Sequence, residues 1–245
     1  MAKPTISVVI PALDEEGCIA PAIESVARDA EVIVVDGHSR DRTREVARSM
    51  GARVLSRPAS RGEQLAAGAQ LATGPWLVFL HADTRLEPGW AGAIRTLGGD
   101  VQAGAFRFAI DASGARYRVL EAVVALRCRL LGLPYGDQAL FVRRDSYERV
   151  GGFAPWPLLE DVDLVRRLRR DGRLARLAPR AFTSARRWQR HGIVGTTARN
   201  LWILGLYAVG MSPARLARLY SAPPLPAADS SRAGYAKTSR ALRPF

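Results

Sequence analysis

Short apolar runs separated by polar, helix-compatible stretches set the rhythm of the N-terminal half. Residues 6–10 (Ile-Ser-Val-Val-Ile), 32–35 (Val-Ile-Val-Val) and 76–80 (Trp-Leu-Val-Phe-Leu) are such runs, each closed by polar or turn residues. This is the pattern of strands buried on both faces of a parallel sheet. Between them, apolar residues recur at helical spacing: Ile19, Ile23 and Val26 follow Asp14-Glu15-Glu16, and Leu65, Ala69 and Ala72 follow Arg61-Gly62-Glu63. With residues 52–55 as a further short strand, strand and helix alternate as in βαβ crossovers. That alternation predicts an open, doubly wound α/β sheet whose ligands bind outside the carboxyl ends of its strands.

From Val101 the order loosens. The sequence predicts a strand to Ile110, a long helix over 117–131, a strand over 139–142 and a helix opening near Glu160, a half expected to shape the acceptor side. The expected boundaries are a catalytic domain over 1–190, a helical extension over 191–221 and a tail over 222–245. The tail holds Pro223, Pro224 and Pro226 without periodicity and reads as a mobile segment without chemistry. In the extension, the apolar run 201–211 is too short to cross a bilayer. Trp202 and Tyr207, with Arg199, Arg215 and Arg218 around them, suit a membrane interface or an ordinary helix packed on the core.

Composition narrows the classes. In 245 residues, 48% hydrophobic, there is material for one substantial core. Cys18 and Cys128 have no His or Cys at ligand spacing, so neither a zinc site nor a disulfide framework is encoded. The first apolar run is stopped by Pro11, too early for a signal peptide, and a cytoplasmic location is expected, with the inner face of a membrane as an option. Residues 1–125 carry 14 basic and 15 acidic side chains, whereas residues 126–245 carry 22 and 8, so the net +13 belongs to the second half. Such a polarised field suits a phosphorylated substrate, an acidic lipid surface or nucleic acid. No nucleic-acid motif or stacking-aromatic platform accompanies the arginines, and no nucleic-acid partner is expected.

Three predicted strands end in acids: Asp14-Glu15-Glu16, Asp36 followed by Ser39 and Asp41, and Asp83 after His81. A carboxylate there can accept hydrogen bonds from a nucleoside, or hold a hard cation that in turn holds a diphosphate. Asp14, Ser39 and Asp41 can equally cap the helices that follow. Arg57 and Arg61 lie where a guanidinium could reach a diphosphate in bidentate fashion, or sit on the surface as ordinary charges. Glu160, Asp161 and Asp163 open a helix, where acids favour the dipole and can also serve as bases.

The stretches Val8-Val-Ile-Pro-Ala-Leu-Asp-Glu-Glu16, Val32-Ile-Val-Val-Asp-Gly-His-Ser-Arg-Asp-Arg-Thr43, Leu77-Val-Phe-Leu-His-Ala-Asp83, Gly151-Gly-Phe153 and Leu159-Glu-Asp-Val-Asp-Leu164 follow one another in a specific order. Together they resemble the family 2 glycosyltransferases of the GT-A fold, small bacterial single-domain members above all, over about residues 6–173. The resemblance implies a Rossmann-like, mostly parallel sheet flanked by helices, and an inverting transfer from a nucleotide diphosphate-sugar to a small-molecule or lipid hydroxyl. It implies that Asp36 contacts the base and that Glu16 lies beside the nucleoside; Pro11, Asp14, Arg61 and Asp83 are the further candidates for the donor side. Asp161 is implied as general base, with Glu160 and Asp163 supporting it.

The family's metal motif, two aspartates flanking one residue, stands here as His81-Ala82-Asp83, so one carboxylate is retained. Asp83 is the expected ligand of Mn2+ or Mg2+. His81 is either a second ligand, which would favour manganese, or a buried, hydrogen-bonded imidazole. On the acceptor side stand Asp137, in Gly136-Asp137-Gln138, and Arg187 and Trp188. The last two resemble part of the Gln-x-x-Arg-Trp segment of processive members, but Ser184 stands in the Gln position, which argues for the addition of one sugar. The competing readings are a non-catalytic nucleotide-binding or regulatory module, suggested by the reduced metal motif, a nucleotidyltransferase, and a dinucleotide-dependent oxidoreductase. The last is weakened because no Gly-x-Gly-x-x-Gly follows the first strand.

Overall fold

A computed structural model of the chain describes residues 5–58, 60–131 and 136–221. The predicted tail, 222–245, lies outside the described residues. The strands are β1 (Ile6–Ala12), β2 (Glu31–Asp36), β3 (Arg53–Ser56), β4 (Trp76–Phe79), β5 (Thr84–Leu86), β6 (Val101–Asp111), β7 (Leu140–Arg143) and β8 (Arg173–Ser184). They form one sheet in the order β3-β2-β1-β4-β7-β6-β8-β5. β3, β2, β1 and β4 run parallel, β7 is antiparallel to both β4 and β6, β8 runs parallel to β6, and β5 closes the edge antiparallel to β8.

The helices are α1 (Ile19–Glu24), α2 (Thr43–Ser49), α3 (Arg61–Leu71), α4 (Trp90–Arg95), α5 (Ala115–Leu131), α6 (Arg144–Arg149), α7 (Glu160–Asp171), α8 (Arg186–His191), α9 (Ile193–Ala208) and α10 (Pro213–Ser221). Strand periodicity explains how the central sheet is covered on both sides. Val8 and Ile10 of β1 and Val34 of β2 pack with Ile19 and Ile23 of α1, while Val9, Ile33 and Val35, one residue out of phase, pack with Leu65 and Ala69 of α3. Successive strand side chains point to opposite faces, so an uninterrupted β-branched run needs a helix on each side. Each fully buried Val or Ile contributes about 1.5–3 kcal/mol. Gly68 lets α3 approach closely, because a Cβ there would stand 2.3 Å from Cγ1 of Val9.

A third, smaller core joins α5 to β6 through Phe108, Ile110, Tyr117, Leu120 and Val124, with Trp188 and Ile193 packed against it. The predicted strands and helices of residues 6–80 all form. The 12-residue β8 was not foreseen. Its sequence, Arg-Leu-Ala-Arg-Leu-Ala-Pro-Arg-Ala-Phe-Thr-Ser, carries four of its first eight positions as Arg or Pro, and its burial reaches only part of its length.

Candidate functional site

Polar groups gather at the carboxyl ends of β1, β2 and β4, where the loops to α1 and α2 latch each other. Asp14 and Glu15 donate their backbone N–H groups to Oγ of Ser39 (3.0 Å) and Oγ1 of Thr43 (2.8 Å), and Glu16 donates its own to Oδ2 of Asp41 (3.0 Å). In return the N–H groups of Arg40 and Arg42 donate to Oδ1 of Asp14 (2.8 Å) and Oε2 of Glu16 (3.0 Å). Asp14 holds φ 53°, a left-handed geometry that aspartate tolerates better than most residues. Asp36, fully buried, takes N–H groups from His38 (3.0 Å) and Ser39 (3.2 Å), with Nε of Arg44 3.8 Å away. Gln64 of α3 ties the two strand ends by donating to the carbonyls of Ala12 (3.2 Å) and Val35 (2.8 Å).

Arg186, the first residue of α8, reaches the end of β4. Its guanidinium bonds Glu15 and lies 3.3 Å from Oδ2 of Asp83. Register brings it there: Thr84 of β5 pairs with Thr183 of β8, and the Ser184 N–H donates to the Asp83 carbonyl at 3.0 Å. The two carboxylates push Arg186 far above its usual range, the hydrogen bond it donates to Glu15 acting most strongly. The other oxygen of Glu15, Oε2, is buried without a hydrogen bond.

A second acidic cluster is built on the 3-10 turn Gly136–Gln138. The Gly136 N–H donates to Oδ2 of Asp161 at 2.6 Å, and the Val162 N–H holds Oδ1 at 2.8 Å. A Cβ on Gly136 would stand 3.0 Å from Nε2 of His81 and 3.1 Å from Oδ2 of Asp161, so a larger residue there would crowd both groups. Glu160 is buried, with Nε of Arg61 3.5 Å from its carboxylate. Burial, then the neighbouring Asp161, pushes it up to about 7 against the pull of Arg61. Burial likewise lifts Asp137 to about 6, with Asp161 adding to the rise and Arg127, Arg187 and Arg61 opposing it. Burial, reinforced by Arg61 and Arg187, holds His81 well below the usual imidazole range, so its ring is neutral and keeps a lone pair.

The structure therefore brings Glu160, Asp161, His81, Asp137, Arg61 and Arg187 into one cluster, while Asp83 is held by Arg186. Asp36 and Pro11 lie buried in their strands, while Asp14 and Glu16 stand exposed at the rim. Trp188 packs edge to face on Phe108, ring centroids 6.0 Å apart, as part of the third core. Asp163 leaves the acid group: it pairs with Arg167 at 2.6 Å, which in turn caps the Gly152 carbonyl at 2.7 Å. Among the described residues, the Arg57 side chain bonds the neighbouring Ser56 carbonyl, at 3.0 Å, and stays exposed. Glu15 and Arg186 were missed. Glu15 stands among three consecutive acids that sequence cannot rank, and Arg186 is the neighbour of the Arg-Trp pair that drew attention.

Among the described residues, no group of three or more His, Cys, Asp or Glu side chains is arranged to hold a metal ion. Asp83 alone fits the weaker requirement of a cation held by one or two carboxylates and the oxygens of a bound diphosphate. His81 adds a neutral nitrogen nearby. The fit requires that Arg186 share or release Asp83.

Acids at the ends of parallel strands, an acid pair opening α7 and a mixed sheet define the GT-A architecture of nucleotide-sugar transferases. The glycosyl transferase family 2 model matches residues 7–121, which is 115 of the 245 residues. A PGL/p-HBAD biosynthesis glycosyltransferase of Mycobacterium tuberculosis is 36% identical over 97 residues, 35% of this chain and 38% of that protein. The chain thus spans well under half the length of that curated relative. Glucosyl-3-phosphoglycerate synthase of M. tuberculosis, solved with Mn2+, UDP and glucosyl-3-phosphoglycerate, is similar at TM-score 0.52 and 27% identity over 73% of this chain and 71% of that one. A Pyrobaculum calidifontis mannosyltransferase in complex with GDP-Man and Mn2+ shares the fold at TM-score 0.53 and 17% identity, covering 72% of this chain and 55% of that one.

Proposed function

We propose that the chain transfers one sugar from a nucleotide diphosphate-sugar to an acceptor hydroxyl, with inversion at the anomeric carbon. The supporting observation is the meeting of three sequence-distant motifs at Gly136, which faces both Nε2 of His81 and Oδ2 of Asp161. The relatives' manganese, UDP and GDP-Man complexes support the same reading. Asp161 accepts the acceptor's hydroxyl proton as that oxygen attacks, and its two backbone donors fix the carboxylate's direction. Glu160, ionised above about pH 7, adds negative charge beside Asp161 and strengthens it as a base. Arg61 and Arg187 balance the cluster's charge and offer donors to an anionic group of donor or acceptor. Asp83, with His81 as auxiliary, would hold a divalent cation against the diphosphate, and the cation's charge would stabilise the leaving group.

The acceptor is a small molecule or a lipid, met on the Asp137 and Arg187 side. The test is a thermal-shift screen with UDP, GDP, TDP and their sugar conjugates, each with manganese, magnesium or chelator. A shift that needs the ion and selects one nucleotide supports the reading and names the donor base. The absence of any shift would transfer the weight to a non-catalytic module.

A further inference from the structure

The outward face of α9 is apolar and uncovered among the described residues. Val194, Leu201, Trp202 and Val209 are exposed at 82%, 59%, 52% and 81%. At helical spacing they share one side with Ala198 and Gly205, opposite the buried Thr196 and Ile203. A helix face in water normally carries charge, and this one carries none. α5 repeats the pattern with Val119, Val123 and Leu126, spaced i, i+4 and i+7 and all exposed. The two helices meet through the third core, where Trp188 and Ile193 pack against Tyr117, Leu120 and Val124.

The surrounding charge decides what covers this surface. From Gly172 to Ser221 the chain has nine arginines and no Asp or Glu; Arg173, Arg180 and Arg186 pair with Asp100, Glu87 and Glu15, while Arg190, Arg199, Arg215 and Arg218 lie on α8, α9 and α10. On α5, Glu121 is the one acid, and it is paired with Arg118 at 2.9 Å. A second copy of the chain would bring arginines against arginines. An anionic bilayer complements them: the apolar face enters the boundary of the acyl region, Trp202 sits at headgroup depth and the arginines meet phosphates. No described helix is long and apolar enough to cross a membrane, so α9 would lie in the plane of the interface.

We propose that the outward face of α9, with α5 and α10 beside it, docks the protein onto an anionic membrane surface. The proposal concerns where the enzyme works and stands apart from the transfer chemistry. The test is co-sedimentation of the full chain with phosphatidylcholine vesicles, with and without phosphatidylglycerol. Binding is expected only with the anionic lipid, to weaken in high salt, and to fall at least about tenfold in Leu201→Glu/Trp202→Glu. Arg215→Gln/Arg218→Gln is expected to weaken it less, and binding of nucleotide-sugar by either variant is expected to be unchanged, which keeps this result separate from the transferase reading and reports folding. Equal binding by the glutamate variant, or no binding to either vesicle, overturns the proposal. So does a dimer that the glutamate variant dissociates. Shielding of Trp202 from acrylamide without vesicles, read as the difference between wild type and Trp202→Phe, would show that another part of the chain covers the face and would overturn it too.

Discussion

Most carboxylates on the two sides of the cleft live in opposite conditions, with Glu15 and Asp161 as the exceptions. On the donor side, Asp14, Glu16 and Asp41 accept backbone N–H groups that bind the β1 and β2 loops to each other, and Asp36 accepts two from its own loop. On the other side, Glu160 and Asp137 are pushed up to about 7 and about 6 by burial, and Oδ1 of Asp137 is buried without a hydrogen bond. The same residue type therefore makes structure in one place and holds unsatisfied chemistry in the other. Satisfied carboxylates set the shape of the nucleotide side, and on the other side the under-satisfied Glu160 and Asp137 surround Asp161, which two backbone N–H groups hold in place.

If that division is right, substitutions on the two sides should fail in different assays. Asp161→Asn keeps an oxygen for the Gly136 N–H, so the fold and donor binding should persist while transfer falls about 10²–10⁴-fold, read by product formation and by donor titration in parallel. Transfer at the wild-type rate would remove Asp161 from the base role. In the wild type, transfer should rise with pH through about 7 as Glu160 ionises beside it. A flat profile across that range would detach Glu160 from the reaction.

Asp36→Ala tests the satisfied side. It leaves the buried N–H of Ser39 and the part-buried N–H of His38 without their acceptor, and the expected cost is about 2–4 kcal/mol in urea unfolding. A stable variant that only loses nucleotide affinity would show that Asp36 recognises the base rather than shaping the loop. Asp83→Ala, at the border between the two sides, should weaken manganese-dependent donor binding by about tenfold, or ~1.4 kcal/mol, and abolish the effect of chelator. Undiminished chelator sensitivity would place the cation elsewhere.

How far each side could be read from sequence follows the same division. The strands of residues 6–80 were legible because burial on both faces demands unbroken β-branched runs, and those runs end at the acids that matter. β8 was not, since an edge-side strand alternating Arg with Leu and Ala has no uniform burial to impose a pattern. The acid pair at 160–161 and the turn at 136–138 were legible as separate motifs. Their convergence with His81 was not, because it is set by the pairing of β7 with β4 and β6. Arg186 was hidden for a similar reason: its contact with Glu15 spans 171 positions and depends on the β5–β8 register.

The smallest expected effect is also the most direct measure of the unsatisfied side. Asp137 titrates near 3.8 when unfolded and at about 6 in the fold, so the native state holds an extra proton between those values. The sign follows: this stabilisation is complete below about pH 4 and is lost as pH rises through about 6. Asp137→Asn has no carboxylate to ionise, so its melting temperature should match the wild type near pH 4 and exceed it at pH 8. Because Asp137 is only partly buried and three arginines oppose the shift, the gain should be about 1 kcal/mol, or roughly 2–4 °C in a domain of this size. Melting curves of both proteins across that range supply the check. Parallel curves would mean that Asp137 is as well solvated as the acids of the donor loops, and the contrast between the two sides would then rest on Glu160 alone.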